Sequence, residues 1–221
     1  SIKETKMDLS YLEAFVAEKL GQDTTGHDLS HIRRVEQSAI TIAQKEGMSA
    51  SDITSIRAAV LLHDVIDDKL TVDVETARKQ VIAALQASGA TDQQAGVILD
   101  TIDQMSYSKN LIEKHELTKI GQIVQDADRL DAIGAIGIGR TFYYGGSKGH
   151  AMYDDTKPVH VTELTQDSYR GSNNVVNHFY EKLLHLEGLM NTLEGKKLAK
   201  ERTAFMQSFL QQLDCEIRGE K

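Results

Sequence analysis

Three stretches of the 221-residue chain set ionisable side chains inside apolar runs. His31 sits among Leu29, Ile32 and Val35. His63 and Asp64 follow directly on the run Ala58 to Leu62. Asp126, Asp128 and Asp131 interrupt the run from Ile123 to Gly137. A buried carboxylate costs several kcal/mol or more unless it is paired or bound to a metal. One divalent cation would satisfy residues from all three stretches at once. Two imidazoles with two carboxylates form a borderline-hard donor set. It suits Mn²⁺, Fe²⁺, Co²⁺ or Zn²⁺ in an open octahedral site better than a closed structural zinc site. Four protein ligands would leave about two positions for water and a phosphate oxygen. A lone His31 could instead be a hydrogen-bonded core histidine. Asp126 and Asp131 could pair with Arg129 or Lys119 on a solvated helix face. The combined order, each residue beside an apolar run, favours the metal reading.

Asp67 and Asp68 follow the His-Asp pair. If the helix continues, Asp67 lies one turn beyond His63 on the same face, placed to take a proton from an activated water. The plainer role for Asp67 and Asp68 is to terminate the helix near Lys69 and Thr71. Candidate phosphate contacts are Arg34, three residues after His31, with Lys69, Arg140 and Lys182. Most of the 25 lysines and arginines are expected to be solvated. The run Gly134 to Gly139 is no dinucleotide fingerprint, because no strand precedes it. The run Gly145 to Gly149 lacks the ending of a phosphate loop. Of the remaining histidines only His115 falls between His63 and Asp128, so a single metal is expected.

These residues must be positioned by helices. One proline, Pro158, leaves nearly the whole chain free of the main helix breaker. Aromatic content of 5% and the absence of Trp argue against a β-sandwich. Apolar spacing predicts helices over 5–20, from Leu29 to near Gly47, and from a cap at Ser51 or Asp52 to the His-Asp pair. Further helices are expected over 73–88 and 91–105, then one long helix or two joined near Gly134. An irregular excursion of roughly thirty residues follows from Tyr143, of the kind that often carries function. Two amphipathic helices close the chain over 173–193 and 196–217. The expected architecture is all-α, a single domain spanning 1–221. Its metal-binding core covers about 22–135, with C-terminal helices packed on it. The formal net charge of −8 disfavours nucleic acid as a partner. The sequence has no apolar run long enough to span a membrane and no signal-peptide pattern, and its single cysteine, Cys215, cannot form an internal disulfide. A cytoplasmic setting is expected, as monomer or homodimer.

The ordered residues resemble a known pattern. The segments 26–35, 61–69, 123–146 and 178–192 are similar to those of the HD superfamily of metal-dependent phosphohydrolases, in its bacterial YpgQ/YedJ-like branch. The resemblance covers nearly the whole chain. It implies an HD-type helical bundle with one divalent metal, Mn²⁺ foremost, then Fe²⁺, Co²⁺, Ni²⁺, Mg²⁺ or Zn²⁺. It implies the ligands His31, His63, Asp64 and Asp128, the last preceding Arg129-Leu130. Relatives carry an acidic pair where this chain has Asp67 and Asp68. The expected reaction is hydrolysis of a nucleoside triphosphate to monophosphate and pyrophosphate. The alternatives are a 5′-nucleotidase and a nucleotide-sensing module that does not hydrolyse.

Overall fold

The computed structural model describes residues 6–21, 28–67, 71–105, 116–159 and 174–220. It is all-α: among the described residues there are helices and no strand. None of these helices is long and apolar enough to cross a membrane. Two compact units are distinguished, 1–127 and 128–221.

The first unit is built around α3 (Ala50–Leu62). Ile56, Ala58, Ala59, Val60 and Leu62 are fully buried. A helix apolar on nearly every side must sit inside others. α1 (Leu9–Leu20), α2 (Leu29–Lys45) and α5 (Asp92–Met105) all pack against it. α4 (Val74–Ala87) contacts α1 and α5. The Arg78 guanidinium ties α4 to α5 through a two-pronged pair with Asp103, at 2.6 and 3.0 Å. Side-chain caps set the helix starts. Asp8 opens α1, Asp28 opens α2 and Asp73 opens α4. The cap of α3 is Ser49 rather than Ser51 or Asp52. Its extended backbone lets the hydroxyl accept from the Asp52 N–H at 3.1 Å, so Asp52 falls inside the first turn.

α6 (Lys119–Leu130) runs across the division between the units as one unbroken helix. The second unit continues with α7 (Gly134–Ser147), α8 (Val175–Glu181), a 3₁₀ helix (Leu183–Leu189) and α9 (Leu193–Ile217). α9 packs on α7 and on the 3₁₀ helix. Phe142, Phe179 and Phe209 cluster with ring centroids 5.9 to 6.3 Å apart, joining α7, α8 and α9. Gly134 takes φ +71°, the left-handed conformation that breaks the long apolar stretch into two helices. Gly145 lies so close to Val175 that a β-carbon would collide with its side chain.

Three expectations need correction. The irregular region does not start at Tyr143, because α7 continues to Ser147 and absorbs both Gly145 and Gly146. The predicted helix over 173–193 is a seven-residue α-helix followed by a 3₁₀ helix. Its break falls at Lys182, whose φ and ψ of −134° and −58° leave the α region. α9 starts three residues earlier than expected, because Thr192 accepts from the Gly195 N–H and caps it.

Candidate metal centre

α3 delivers His63 at its C-terminal end, where the chain tightens into a 3₁₀ turn, His63–Ile66. His63 Nδ1 lies 2.6 Å from the Val60 carbonyl oxygen. A carbonyl can only accept, so Nδ1 carries the proton and Nε2 is left with a lone pair in the neutral ring. That is the tautomer a metal ligand needs. His31 stands in the first turn of α2, its backbone N–H held by the Asp28 carboxylate at 2.9 Å. The Asp64 carboxylate lies against both rings, Oδ2 at 3.7 Å from His31 Nε2 and Oδ1 at 3.1 Å from His63 Nε2. His31, His63 and Asp64 are 3%, 9% and 2% exposed, so water cannot stabilise charge here on its own.

The last turn of α6 carries Asp128. His31, His63 and Asp128 each offer a ligand atom, and these atoms all lie within 4.8 Å of one another. Ligands held ~2.1 Å from a shared ion stand roughly 3 to 4.2 Å apart, so the spacing suits one ion. The gathered set of two histidines and one carboxylate suits a divalent cation, and Asp64 lies against both imidazoles.

The other aspartates of this stretch are also buried, and the solvated-face reading does not hold. Asp126 is fully buried and Asp131 is 3% exposed. Lys119 pairs with Glu46 at 2.7 Å, and Arg129 donates to the Leu189 carbonyl at 2.7 Å. Asp131 lies just beyond the end of α6. Its carboxylate accepts from Arg140 Nη1 at 3.1 Å, and its carbonyl accepts from the same nitrogen at 2.9 Å.

Asp67 also departs from expectation. The α-helix ends at Leu62, and Asp67 follows the 3₁₀ turn with an extended backbone. A 3₁₀ helix turns every three residues, so the one-turn spacing from His63 to Asp67 does not apply. The Asp67 N–H donates to the Asp64 carbonyl and its own carbonyl accepts from Thr71. Asp68, Lys69 and His115 lie outside the described residues. Arg34 is half-buried on α2, and Lys182 is half-buried where α8 breaks.

Sequence reasoning passed over Arg202. It donates to the Leu130 carbonyl at 2.6 Å, stacks its stem against Gly134, and is half-buried. Burial lowers its pKa below the usual value, and Asp131 acts in the opposite direction. The available signal was its place beside the buried stripe Ala199, Thr203 and Met206 of α9.

The HD-domain family model matches residues 28–133. The chain is 35% identical over 219 residues to YpgQ of Bacillus subtilis, covering 99% of this chain and 97% of the relative. The crystal structure of YpgQ in complex with ADP is similar at 33% identity and a TM-score of 0.73, covering 96% and 99% of the two chains. An HD-superfamily hydrolase from Bacillus thuringiensis matches at 38% identity and a TM-score of 0.73, covering 95% and 96%. A Lactobacillus plantarum structure matches at 38% identity and a TM-score of 0.77, over 99% of each chain.

Proposed function

This chain belongs to the HD-domain family and is an HD-superfamily hydrolase, and on that premise we propose that it hydrolyses nucleoside triphosphates to monophosphate and pyrophosphate. The observation that carries the reading is the convergence of His31, His63 and Asp128 within 4.8 Å, with Asp64 against both rings. The complex of YpgQ with ADP supports a nucleotide as the class of substrate.

In this reading His31, His63, Asp64 and Asp128 hold one divalent cation, with Mn²⁺ the ion that the family resemblance implies. The ion supplies Lewis acidity and charge neutralisation at a phosphate oxygen. The residues of the chain do the rest. Val60 fixes the His63 tautomer, and the buried walls around His31 and Asp64 keep bulk water from screening the site. Asp67 accepts the proton of the attacking water, and Asp68 is the second candidate for that role. The bond between the α- and β-phosphates breaks and pyrophosphate leaves. Arg34, Lys69, Arg140 and Lys182 are the cations proposed to neutralise the phosphate chain, and Arg140 already holds Asp131. The enzyme is proposed to work in the cytoplasm.

The test is a product screen with Mn²⁺ across nucleoside mono-, di- and triphosphates. The expected result is monophosphate and pyrophosphate in equal amounts from a triphosphate. Inorganic phosphate released from monophosphates would identify a 5′-nucleotidase. Saturable nucleotide binding without turnover would identify a sensing module.

A further inference from the structure

The start of α9 carries a second arrangement, which the hydrolytic reading does not use. A cavity of about 570 Å³ opens between the 3₁₀ helix Leu183–Leu189 and the first turns of α9. His185, Glu187, Lys196, Lys197 and Lys200 line it. The volume falls in the range of small-molecule sites. The three lysines are exposed, and among the described residues none forms an ion pair within 4.0 Å, Glu187 included. Lys196 and Lys200 are four residues apart, so they share a helix face and repel, and Lys197 adds a third charge. Glu187 lines the same cavity, and Glu194 and Glu201 lie close along α9, so the three lysines outnumber the one carboxylate of the lining. The positive end of the α9 dipole adds to the same potential. His185 Nε2–H donates to the Tyr180 carbonyl oxygen at 2.9 Å.

A rise of 1.5 Å per residue separates Lys196 and Lys200 by about 6 Å along α9. That span suits a chain of phosphates better than a single one. We propose that this cavity binds an oligophosphate anion, either free or as the phosphate tail of a nucleotide, and that it does so independently of the metal centre.

The test is calorimetric titration of the full chain with tripolyphosphate, pyrophosphate, orthophosphate and ATP, with added Mn²⁺ and without. Saturable binding of tripolyphosphate without Mn²⁺, tighter than that of orthophosphate, is expected. The Lys196→Gln/Lys197→Gln/Lys200→Gln protein should bind at least about tenfold more weakly, through three exposed charged contacts of small individual effect. The corresponding arginine variant should retain binding. ATP binding tighter than tripolyphosphate would identify the nucleotide form, and equal binding the free anion. The lysines are exposed and glutamine forms helix about as well, so folding should persist; Lys197→Gln alone, expected roughly twofold to threefold weaker, is the milder variant. Absence of saturable binding without Mn²⁺ would overturn the proposal, as would affinity unchanged by the triple substitution. Loss of triphosphate turnover in the triple variant at full metal content would also overturn it, because the lysines would then serve the metal centre.

Discussion

A histidine can bind a cation only through an unprotonated nitrogen, and the Val60 carbonyl decides which nitrogen of His63 that is. The last turn of α6 carries Asp128 to within 4.8 Å of both histidines. Asp128 is the only member of the set that α6 contributes. Asp128→Ala is therefore expected to abolish stoichiometric metal binding, measured by elemental analysis, while the far-ultraviolet circular dichroism stays that of a folded helical protein. Full metal content in the variant would move the ligand role to Asp126. Asp67 tests the chemistry rather than the binding. Asparagine is nearly isosteric with aspartate but takes no proton at neutral pH. Asp67→Asn should keep its metal and its KM while kcat falls by ~10²–10⁴. An unchanged kcat would shift the role to Asp68. That His31, His63 and one of the three aspartates come together was legible in the sequence because polar residues beside apolar runs stand out in any reading of burial, while the choice of Asp128 among them came from the family resemblance. The position of Asp67 was not, because the switch from α to 3₁₀ after Leu62 leaves no mark in residue type.

At the scale of elements, the corner between α6 and α7 shows what spacing can and cannot reveal. Gly134 was a visible break point, and its φ of +71° confirms it. The hands that hold the corner were not visible, because they come from far along the chain or from backbone carbonyls. Arg202 reaches the Leu130 carbonyl across 72 residues, and Arg140 grips both oxygens offered by Asp131. Gly134→Ala must force a β-carbon into the left-handed region and against the Arg202 stem, 2.9 Å away. The expected loss is about 1–2 kcal/mol from the backbone alone, read as a lower urea midpoint at unchanged m-value. A midpoint equal to that of the parent would show that the corner relaxes freely. Arg140→Met removes one cationic partner of a carboxylate that is 3% exposed, while Arg202 still acts on it. Losing one charged partner of a buried carboxylate costs about 1–3 kcal/mol. Arg140→Met should thus lower the thermal midpoint before any change in triphosphate KM is read, and a variant as stable as the parent with raised KM would place Arg140 on substrate instead. Helix caps were legible as a class, yet Ser49 was missed in favour of Ser51 and Asp52. Several capping residues in a row leave the choice to backbone geometry that composition does not encode.

For the whole molecule, the balance of charge sets how stability follows pH, and His178 is a histidine displaced well below its ordinary value. His178 on α8 is half-buried, and its pKa is lowered from 6.5 to about 4. Burial is the largest cause, the Lys182 ammonium one turn on adds to it, and Glu181 opposes both. The unfolded chain therefore binds a proton at this residue near pH 6.5, whereas the folded chain resists it until about pH 4. Stability rises with pH wherever the unfolded state binds more protons than the folded state. The His178 contribution is thus complete above pH 6.5, declines as pH falls through the window to about 4, and changes no further below it. The full effect is about 3 kcal/mol. Asp8, Asp73 and Asp154 behave in the opposite region. Side-chain hydrogen bonds from Ser10, Thr76 and Thr156 hold their pKa values below 3.8, so their contributions persist above that pH and fade only in stronger acid. The two windows are separable by experiment. Urea unfolding of the parent and of His178→Gln should be compared at about pH 7 and about pH 4.5. The parent should lose roughly 2–3 kcal/mol more than the variant over that range. All other ionisable groups are common to both proteins, so they cancel in the comparison. Equal losses in the two proteins would mean that His178 accepts its proton as readily in the fold as outside it, and that the packing of α8 does not exclude water from the ring.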